Sequence, residues 1–292
     1  MKNNSGSNLK YYLELSKLKI MIPVSLTGFT GYFIFDPRLS MNLFLVSTGI
    51  LLMAVSASVL NQIQEVGFDR KMIRTKNRPI PAMKIGRPQA LLFFICNLIA
   101  GTAIIYLAGG TTAAIIGIIT ILWYNGIYTY SKRITAFAVV PGAVTGALPP
   151  LIGWVAAGGG IWDKPIIFIE FLFFTGQIPH FWLLILNYGK EYKNAGIPNL
   201  TDILRIDQIN RLTFIWVVSS VISALFLCYF EFIRSLPIVG ILMVASFYII
   251  WKFSDLLKID HITTDSSRYS ILLYIYFLLV MILLIADRLI TS

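Results

Sequence analysis

The chain has 292 residues, of which 57% are hydrophobic and only 13% are charged. An ordinary soluble domain carries roughly 25% charged residues, so this composition excludes a soluble globular enzyme, a disordered chain and a coiled coil. It predicts an all-α, multi-pass membrane protein. The net charge is +10, but the basic residues lie between apolar segments, so they indicate membrane topology and predict no nucleic-acid partner.

The predicted elements are apolar segments long enough to cross a bilayer, which takes about 20 residues. They should be helices, because backbone polar groups in lipid must be paired within the segment. We predict nine: 20–35, 41–60, 89–108, 112–130, 138–157, 166–186, 212–230, 235–252 and 269–290. The fifth contains three prolines and is expected to be bent or broken. A single transmembrane domain over residues 1–292 is predicted, with residues 1–10 disordered.

The distribution of lysine and arginine predicts the orientation of these nine spans. Twenty of the basic residues fall on the side that holds the N-terminus, and four fall on the other side. Short cytoplasmic loops are enriched in Lys and Arg, so the N-terminus is predicted to be cytoplasmic and the C-terminus external. The expected location is the cytoplasmic (inner) membrane of a prokaryote.

The end of the second span carries three oxygen-bearing side chains, Asn61, Glu65 and Asp69. Their spacing of four residues puts them on one helix face within about 80°. Such groups are costly at a membrane boundary unless they face a cavity or a cation. Magnesium prefers carboxylates together with substrate phosphate oxygens. Cations follow at once, as in a phosphate site or a solvated cytoplasmic loop: Arg70, Lys71, Arg74, Lys76 and Arg78.

Further candidate residues lie near the ends of other spans. His180 is the only histidine within a predicted span, where it is either a packing residue or a contact to a bound molecule. Glu191 follows the sixth span. Four more cations either reach the same phosphate groups or mark the membrane border: Lys17, Lys19, Lys132 and Arg133.

Residues 61–78 resemble the first signature of the UbiA superfamily of intramembrane prenyltransferases, Asn-xxx-Asp-xxx-Asp, with Glu65 in place of the middle Asp. The run from Asp69 through Arg74 to Arg78 is similar to the haem O synthase (protoheme IX farnesyltransferase) branch. Pro179-His180, and Glu191-Tyr192 before Ala-Gly-Ile-Pro, resemble that branch's second signature, where Asp is usual at position 191. Segments 17–19, 132–133 and 141–153 resemble the family more loosely.

The resemblance implies an enzyme that depends on Mg²⁺ and transfers a farnesyl group from farnesyl diphosphate to the vinyl group of protoheme IX. Haem B would be a substrate, and haem-processing or oxidase-assembly proteins would be partners. It assigns Asn61, Glu65, Asp69 and Glu191 to magnesium and catalysis. It assigns Arg74, Arg78, Lys132, Arg133, Lys17 and Lys19 to the diphosphate. His180 would contact the acceptor, and one form of this contact is axial ligation of the haem iron.

Three other functions are compatible with parts of this pattern. One is a prenyltransferase of the same superfamily that acts on an aromatic quinone precursor or another acceptor. Another is a transporter whose polar residues line a pathway, although no inverted repeat is evident. The third is a non-catalytic haem-binding protein, for which a row of three metal-ligand residues has no purpose.

Overall fold

The computed structural model describes residues 5–258 and 266–291, and every regular element in these residues is helical. The α-helices are α1 (Ser5–Ser16), α2 (Leu18–Phe35), α3 (Met41–Gln64), α4 (Val66–Asp69), α5 (Arg87–Leu122), α6 (Thr129–Ile134), α7 (Val139–Ala156), α8 (Lys164–Ala195), α9 (Ile206–Tyr229), α10 (Leu236–Phe253) and α11 (Ser266–Thr291). A π-helical turn, Trp123–Tyr128, joins α5 to α6, and two short 3₁₀ turns are Leu200–Asp202 and Ser254–Leu257.

Eight helices in the described residues are long and apolar enough to cross a membrane. The predicted all-α, multi-pass architecture is therefore confirmed. The predicted count of nine is not, because the third and fourth predicted spans belong to one helical stretch, Arg87–Ile134.

That stretch reverses its direction at Gly110, whose φ of 83° and ψ of 175° are not helical. The Met53 side chain lies against both Gly101 and Gly117, and Ile105 Cδ1 is 3.9 Å from the position of a Cβ on Gly117. On a straight helix, residues 105 and 117 would be about 18 Å apart. Since this backbone conformation is readily accessible only to glycine, Gly110 allows residues 87–109 and 111–122 to pack as two arms beside α3.

The fifth predicted span is not broken, because α7 runs through Pro149 and Pro150 as one helix. Its neighbour α2 packs backbone against backbone at this level. A Cβ on Gly153 would lie 1.9 Å from the Gly28 carbonyl oxygen, and one on Gly31 would lie 2.1 Å from that of Pro150. Neighbouring helices stabilise membrane helices that contain proline, and this close packing provides such support.

Helix α1 begins at Ser5, and residues 1–4 lie outside the described part, so disorder over residues 1–10 stays a prediction. The helix is anchored by Leu15, which is fully buried in a cluster with Val59 and Ile80. In addition, Gln62 Nε2 of α3 donates a hydrogen bond to the Leu15 carbonyl oxygen at 2.8 Å. The end of α1 is therefore held against α3.

Helix α8 is longer than the predicted span 166–186 and continues to Ala195, where Gly196 with φ of 81° ends it. Glu191 thus lies on the same helix as the sixth predicted span, beyond the predicted end of that span. Helix α2 packs against α3, α7 and α11, and α8 packs against α7, α9 and α11. The end of α3, the start of α6 and the end of α8 come together at one end of the bundle, where the candidate site lies.

Candidate active site

The helical spacing of Asn61, Glu65 and Asp69 is retained beyond the end of α3. The Glu65 amide donates to the Asn61 carbonyl oxygen at 2.9 Å, and the Asp69 amide donates to that of Glu65 at 2.9 Å. The backbone therefore continues almost as a helix from α3 into α4. It brings the three side chains to the same end of α3, as their spacing predicts.

Asp69 is the most buried of the predicted site carboxylates, with 1% of its surface exposed. Both of its carboxylate oxygens accept hydrogen bonds from Arg78 Nη1, each at 2.9 Å. The Thr75 hydroxyl donates to the Asp69 carbonyl oxygen at 3.0 Å, which closes the turn between the two charged residues. A predicted metal ligand and a predicted phosphate ligand are thus in direct contact.

Glu65 forms the second such contact, an ion pair with Lys132 of α6. The Lys132 ammonium also lies 4.8 Å from the centre of the Tyr128 ring, so it is held from both sides. Both charged side chains are largely buried. In a site with little water, this pair interacts more strongly than an exposed one.

Asn61 is oriented by a residue that the sequence did not single out. Its amide nitrogen donates to Thr129 Oγ1 at 3.0 Å, and the Thr129 hydroxyl donates to the Tyr124 carbonyl oxygen at 2.9 Å. Because the amide nitrogen is held by Thr129, the Asn61 carbonyl oxygen points away from it. That oxygen is the atom a hard cation would bind.

Glu191 approaches the site from α8. One of its carboxylate oxygens accepts a hydrogen bond from the Arg74 backbone amide at 3.1 Å, and the Arg74 guanidinium lies 4.6 Å from the centre of the Tyr188 ring. The segment between Asp69 and Arg78 therefore bridges α3 and α8. Met72 of this segment packs with Ala195 and completes the connection.

Lys17 stands between α1 and α2 in the left-handed conformation, with φ of 46° and ψ of 45°. Burial, with a contribution from the charges of Arg78 and Lys132, lowers the pKa of its ammonium group to about 7, and the charges of Asp69 and Glu65 oppose this decrease. Lys17 is therefore within electrostatic reach of both ion pairs. A non-glycine residue in this conformation is strained, and such strain is concentrated at functional sites.

Two predicted phosphate ligands are placed differently. Arg133 donates from Nη2 to the Gln64 carbonyl oxygen at 2.9 Å and lies 4.7 Å from the centre of the Tyr130 ring, so it caps the end of α3. Lys19 is exposed, and its side chain has no ion pair within the described part of the chain.

His180 lies deeper in the bundle, about 16 Å from Glu191 along α8. Its Nε2 is 2.6 Å from the Tyr274 hydroxyl of α11, and the two ring centres are 4.5 Å apart. The other ring nitrogen, Nδ1, is buried and has no hydrogen-bond partner among the described residues. A buried ring nitrogen without a partner costs free energy, which makes this position a candidate contact for a bound molecule.

The donor set fits a magnesium ion that is held jointly with a diphosphate. It consists of carboxylate and amide oxygens, and cations surround it at the same end of the bundle. Within residues 5–258 and 266–291, no three carboxylate, histidine or cysteine ligands are close enough to enclose a metal by themselves. Magnesium sites commonly use one or two carboxylates together with substrate phosphate oxygens and water.

The family profile described as the UbiA prenyltransferase family matches residues 24–278. The chain belongs to the UbiA prenyltransferase family. It is therefore a prenyltransferase and an integral, multi-pass membrane protein. Among the UbiA relatives, the protoheme IX farnesyltransferase of Oleidesulfovibrio alaskensis is 30% identical over 96% of each chain. The protein of that name from Nitratidesulfovibrio vulgaris is 33% identical over 72% of this chain and 74% of its own.

Solved structures share the fold. One, concerned with digeranylgeranylglyceryl phosphate synthase, has a TM-score of 0.76 and 22% identity, over 97% of this chain and 99% of the other. A UbiA homologue from Archaeoglobus fulgidus, solved with GPP and Mg²⁺ bound, has a TM-score of 0.66 and 14% identity, over 94% and 99% of the two chains. At these identities the likeness shows the fold alone.

Sequence reasoning missed three residues that organise this UbiA site: Thr129, Tyr188 and Tyr274. Thr129 follows a π-helical turn, and such turns are frequent at functional sites. Tyr188 is only three residues from Glu191, so the two are neighbours on the surface of a helix. Tyr274 lies in an apolar span, and nothing in its local sequence indicates that it reaches His180.

Proposed function

We propose that this UbiA-family enzyme transfers the farnesyl group of farnesyl diphosphate to a vinyl group of protoheme IX, with addition of water. The product would be haem carrying a hydroxyethylfarnesyl group, and pyrophosphate would be released. The observation that carries this choice of substrates is the similarity, over 96% of both chains, to a relative named protoheme IX farnesyltransferase.

In this proposal, Asn61, Glu65, Asp69 and Glu191 hold magnesium together with the diphosphate of the donor. Bound magnesium would neutralise charge on the leaving diphosphate as its bond to the allylic carbon breaks. The cationic side chains at the same end of the bundle bind the remaining phosphate oxygens and orient the donor: Arg74, Arg78, Lys132, Lys17 and, by resemblance, Arg133 and Lys19. Fixed cations in a site with little water are effective because they need no reorganisation during the reaction.

The two substrates would then occupy different depths. The diphosphate lies with the ion pairs at the end of α3, and the isoprenoid chain extends between the helices. His180 contacts the acceptor at membrane depth, and its unpartnered Nδ1 supports that role. The apolar surroundings also keep water from reaching the allylic cation before the acceptor does.

We further propose that this end of the bundle faces the cytoplasm. The segments that carry Arg78, Lys132 and Glu191 are in contact there, and they belong to the side that is rich in lysine and arginine. The positive-inside rule supports this orientation. Haem-processing or oxidase-assembly proteins are the proposed partners, because the product must be passed on within the membrane.

The test is to incubate the purified chain with Mg²⁺, farnesyl diphosphate and haem B, and to analyse the products by chromatography and mass spectrometry. We expect haem to gain the mass of one farnesyl group plus one hydroxyl group. An Asp69→Ala variant, checked for folding by size-exclusion chromatography, should not form this product. Magnesium-dependent release of diphosphate with unmodified haem would reject haem as the acceptor and favour a quinone precursor.

A further inference from the structure

Each carboxylate assigned to magnesium already has a partner, and that partner comes from a segment assigned to the diphosphate. Asp69 is paired with Arg78, and Glu65 is paired with Lys132. Glu191 accepts the backbone amide of Arg74, whose guanidinium lies over Tyr188. The residues assigned to magnesium and those assigned to the diphosphate are therefore bonded to each other.

These contacts oppose the binding of either ligand alone. A magnesium ion that approaches Asp69 meets a carboxylate with both oxygens bonded to a guanidinium, and the nearby Arg78 and Lys132 charges repel it. A diphosphate that approaches Arg78 must likewise compete with a carboxylate that is almost fully buried. Breaking a buried ion pair without replacement leaves an uncompensated charge, which is strongly unfavourable.

When both ligands bind together, no buried charge is left without a partner. The carboxylates can turn to magnesium while Arg78 and Lys132 turn to the phosphate oxygens, so every buried charge keeps a partner of opposite sign. Guanidinium groups bind phosphate oxygens as they bind carboxylates, so the exchange loses no type of contact.

We propose that the Asp69–Arg78 and Glu65–Lys132 pairs are a resting form of the site, and that magnesium and diphosphate displace them together. Each ligand then raises the affinity of the protein for the other, and the coupling is reciprocal. This inference rests on the proposed use of magnesium and a diphosphate, but not on the identity of the acceptor. It also provides for release, because the pairs re-form once pyrophosphate and its metal leave.

The proposal makes an unusual prediction: removing a cation of the pair strengthens metal binding. The full chain in detergent is titrated with Mg²⁺ alone by isothermal titration calorimetry, because magnesium and pyrophosphate also associate in solution. We expect Arg78→Gln to bind Mg²⁺ about tenfold more tightly than the wild type, a size typical of coupling between sites. Lys71→Gln, which removes an exposed cation of the same loop, is the matched control for net charge and should change the affinity little.

The reciprocal experiment uses pyrophosphate alone, in the presence of a chelator. Asp69→Asn releases Arg78 from its carboxylate, so this variant should bind metal-free pyrophosphate about tenfold more tightly than the wild type. The double variant Asp69→Asn/Arg78→Gln should lose both gains. Lys132→Gln provides a second route to tighter Mg²⁺ binding if Arg78→Gln fails to fold, which is checked by size-exclusion chromatography.

Folded Arg78→Gln and Lys132→Gln proteins that bind Mg²⁺ no more tightly than the wild type would overturn the proposal. So would Asp69→Asn protein with unchanged affinity for pyrophosphate. These titrations contain no acceptor, so their outcome is independent of whether haem is prenylated. A protein that fails to modify haem could still show the exchange, and the two proposals can thus fail separately.

Discussion

At the end of α3, charged side chains from separate helices hold one another: Arg78 holds Asp69, and Lys132 holds Glu65. Between α2 and α7, in contrast, the backbones themselves meet, and Gly153 lies where a Cβ would be 1.9 Å from the Gly28 carbonyl oxygen. Both regions are closely packed, but the first depends on contacts between charged side chains and the second on the absence of side-chain atoms.

This difference separates the part of the molecule that can change partners from the part that cannot. An ion-paired side chain can leave its carboxylate for a phosphate and return. A backbone contact at van der Waals distance has no alternative partner, so it defines the distance between two helices. Substitutions at the end of α3 should therefore change binding and reaction rate, whereas those between α2 and α7 should change stability.

The largest effect is expected from Asp69→Asn. The substitution preserves the shape of the side chain but removes the charge that would hold magnesium, so the rate of prenyl transfer should fall about 10³-fold, as for loss of a key electrostatic group. The rate is measured from product formation at saturating farnesyl diphosphate and Mg²⁺. Size-exclusion chromatography should show that the variant remains folded.

The matched control for this change is Asp36→Asn. Asp36 also binds an arginine, Arg38, with a 2.7 Å contact between Oδ1 and Nε, but it lies after the far end of α2. Along α2 that is about 27 Å from Lys17. Its transfer rate should stay near that of the wild type. A similar loss in both variants would mean that the end of α3 has no special role.

A smaller effect, on stability instead of rate, is expected from Gly153→Ala. The added methyl group overlaps the Gly28 carbonyl oxygen, so α2 and α7 must move apart at a cost of about 3 kcal/mol, as for overpacking in a core. The temperature of thermal inactivation should fall by several degrees. Gly240→Ala is the control, because a Cβ on Gly240 of α10 has no neighbour within 4 Å. Equal inactivation temperatures for the two variants would contradict the role given to this interface.

Much of the charged end could be predicted from the sequence, because a spacing of four residues specifies a shared helix face wherever the backbone is helical. The backbone bonds from Asn61 to Glu65 and from Glu65 to Asp69 meet that condition. The pairing of Glu65 with Lys132 could not be predicted, because it depends on how α3 and α6 approach each other. The position of Arg133, which caps α3, depends on the same packing.

The fold shows the same division. Apolar composition predicted the helices, but their number and limits depended on single residues with special backbone conformations. Gly110 reverses the direction of α5, and the polar segment 187–195 stays helical until Gly196. Hydropathy falls in that polar segment, so the predicted span ends at residue 186, although helix α8 continues to Ala195.

Lys17 should make the affinity for pyrophosphate depend on pH, with a change of about tenfold. Burial lowers the pKa of its ammonium to about 7, with Arg78 and Lys132 contributing and Asp69 and Glu65 opposing. Below that pH the group is protonated and attracts phosphate; above it the group is neutral. The affinity for pyrophosphate with Mg²⁺ should therefore fall about tenfold between pH 6 and 8, beyond the titration of the ligand itself.

Lys17→Arg isolates this contribution, because a guanidinium stays charged throughout the range. The variant should retain only the pH dependence of the ligand, and its affinity at pH 8 should exceed that of the wild type. The measurement is calorimetry of pyrophosphate binding at three pH values, for the wild type and for Lys17→Arg. The same slope in both proteins would show that Lys17 does not approach the phosphate.

The smallest expected effect concerns the contact between His180 of α8 and Tyr274 of α11. Tyr274 contacts His180 Nε2 at 2.6 Å, so its hydroxyl orients the imidazole and determines which nitrogen is left for the acceptor. Tyr274→Phe keeps the ring but removes that hydrogen bond. Losing one such bond corresponds to about a fivefold change, so the KM for haem B should rise about fivefold at nearly constant kcat.

The affinity of the Tyr274→Phe protein for pyrophosphate with Mg²⁺ should be unchanged, because His180 lies about 16 Å along α8 from Glu191. A general structural defect would instead weaken the binding of both haem B and pyrophosphate. His180→Gln, which replaces the imidazole by an amide, should raise the KM for haem B at least as much, since it removes the group that Tyr274 orients. Tyr274→Phe should then add little in the double variant, because two residues that act through one contact are not additive.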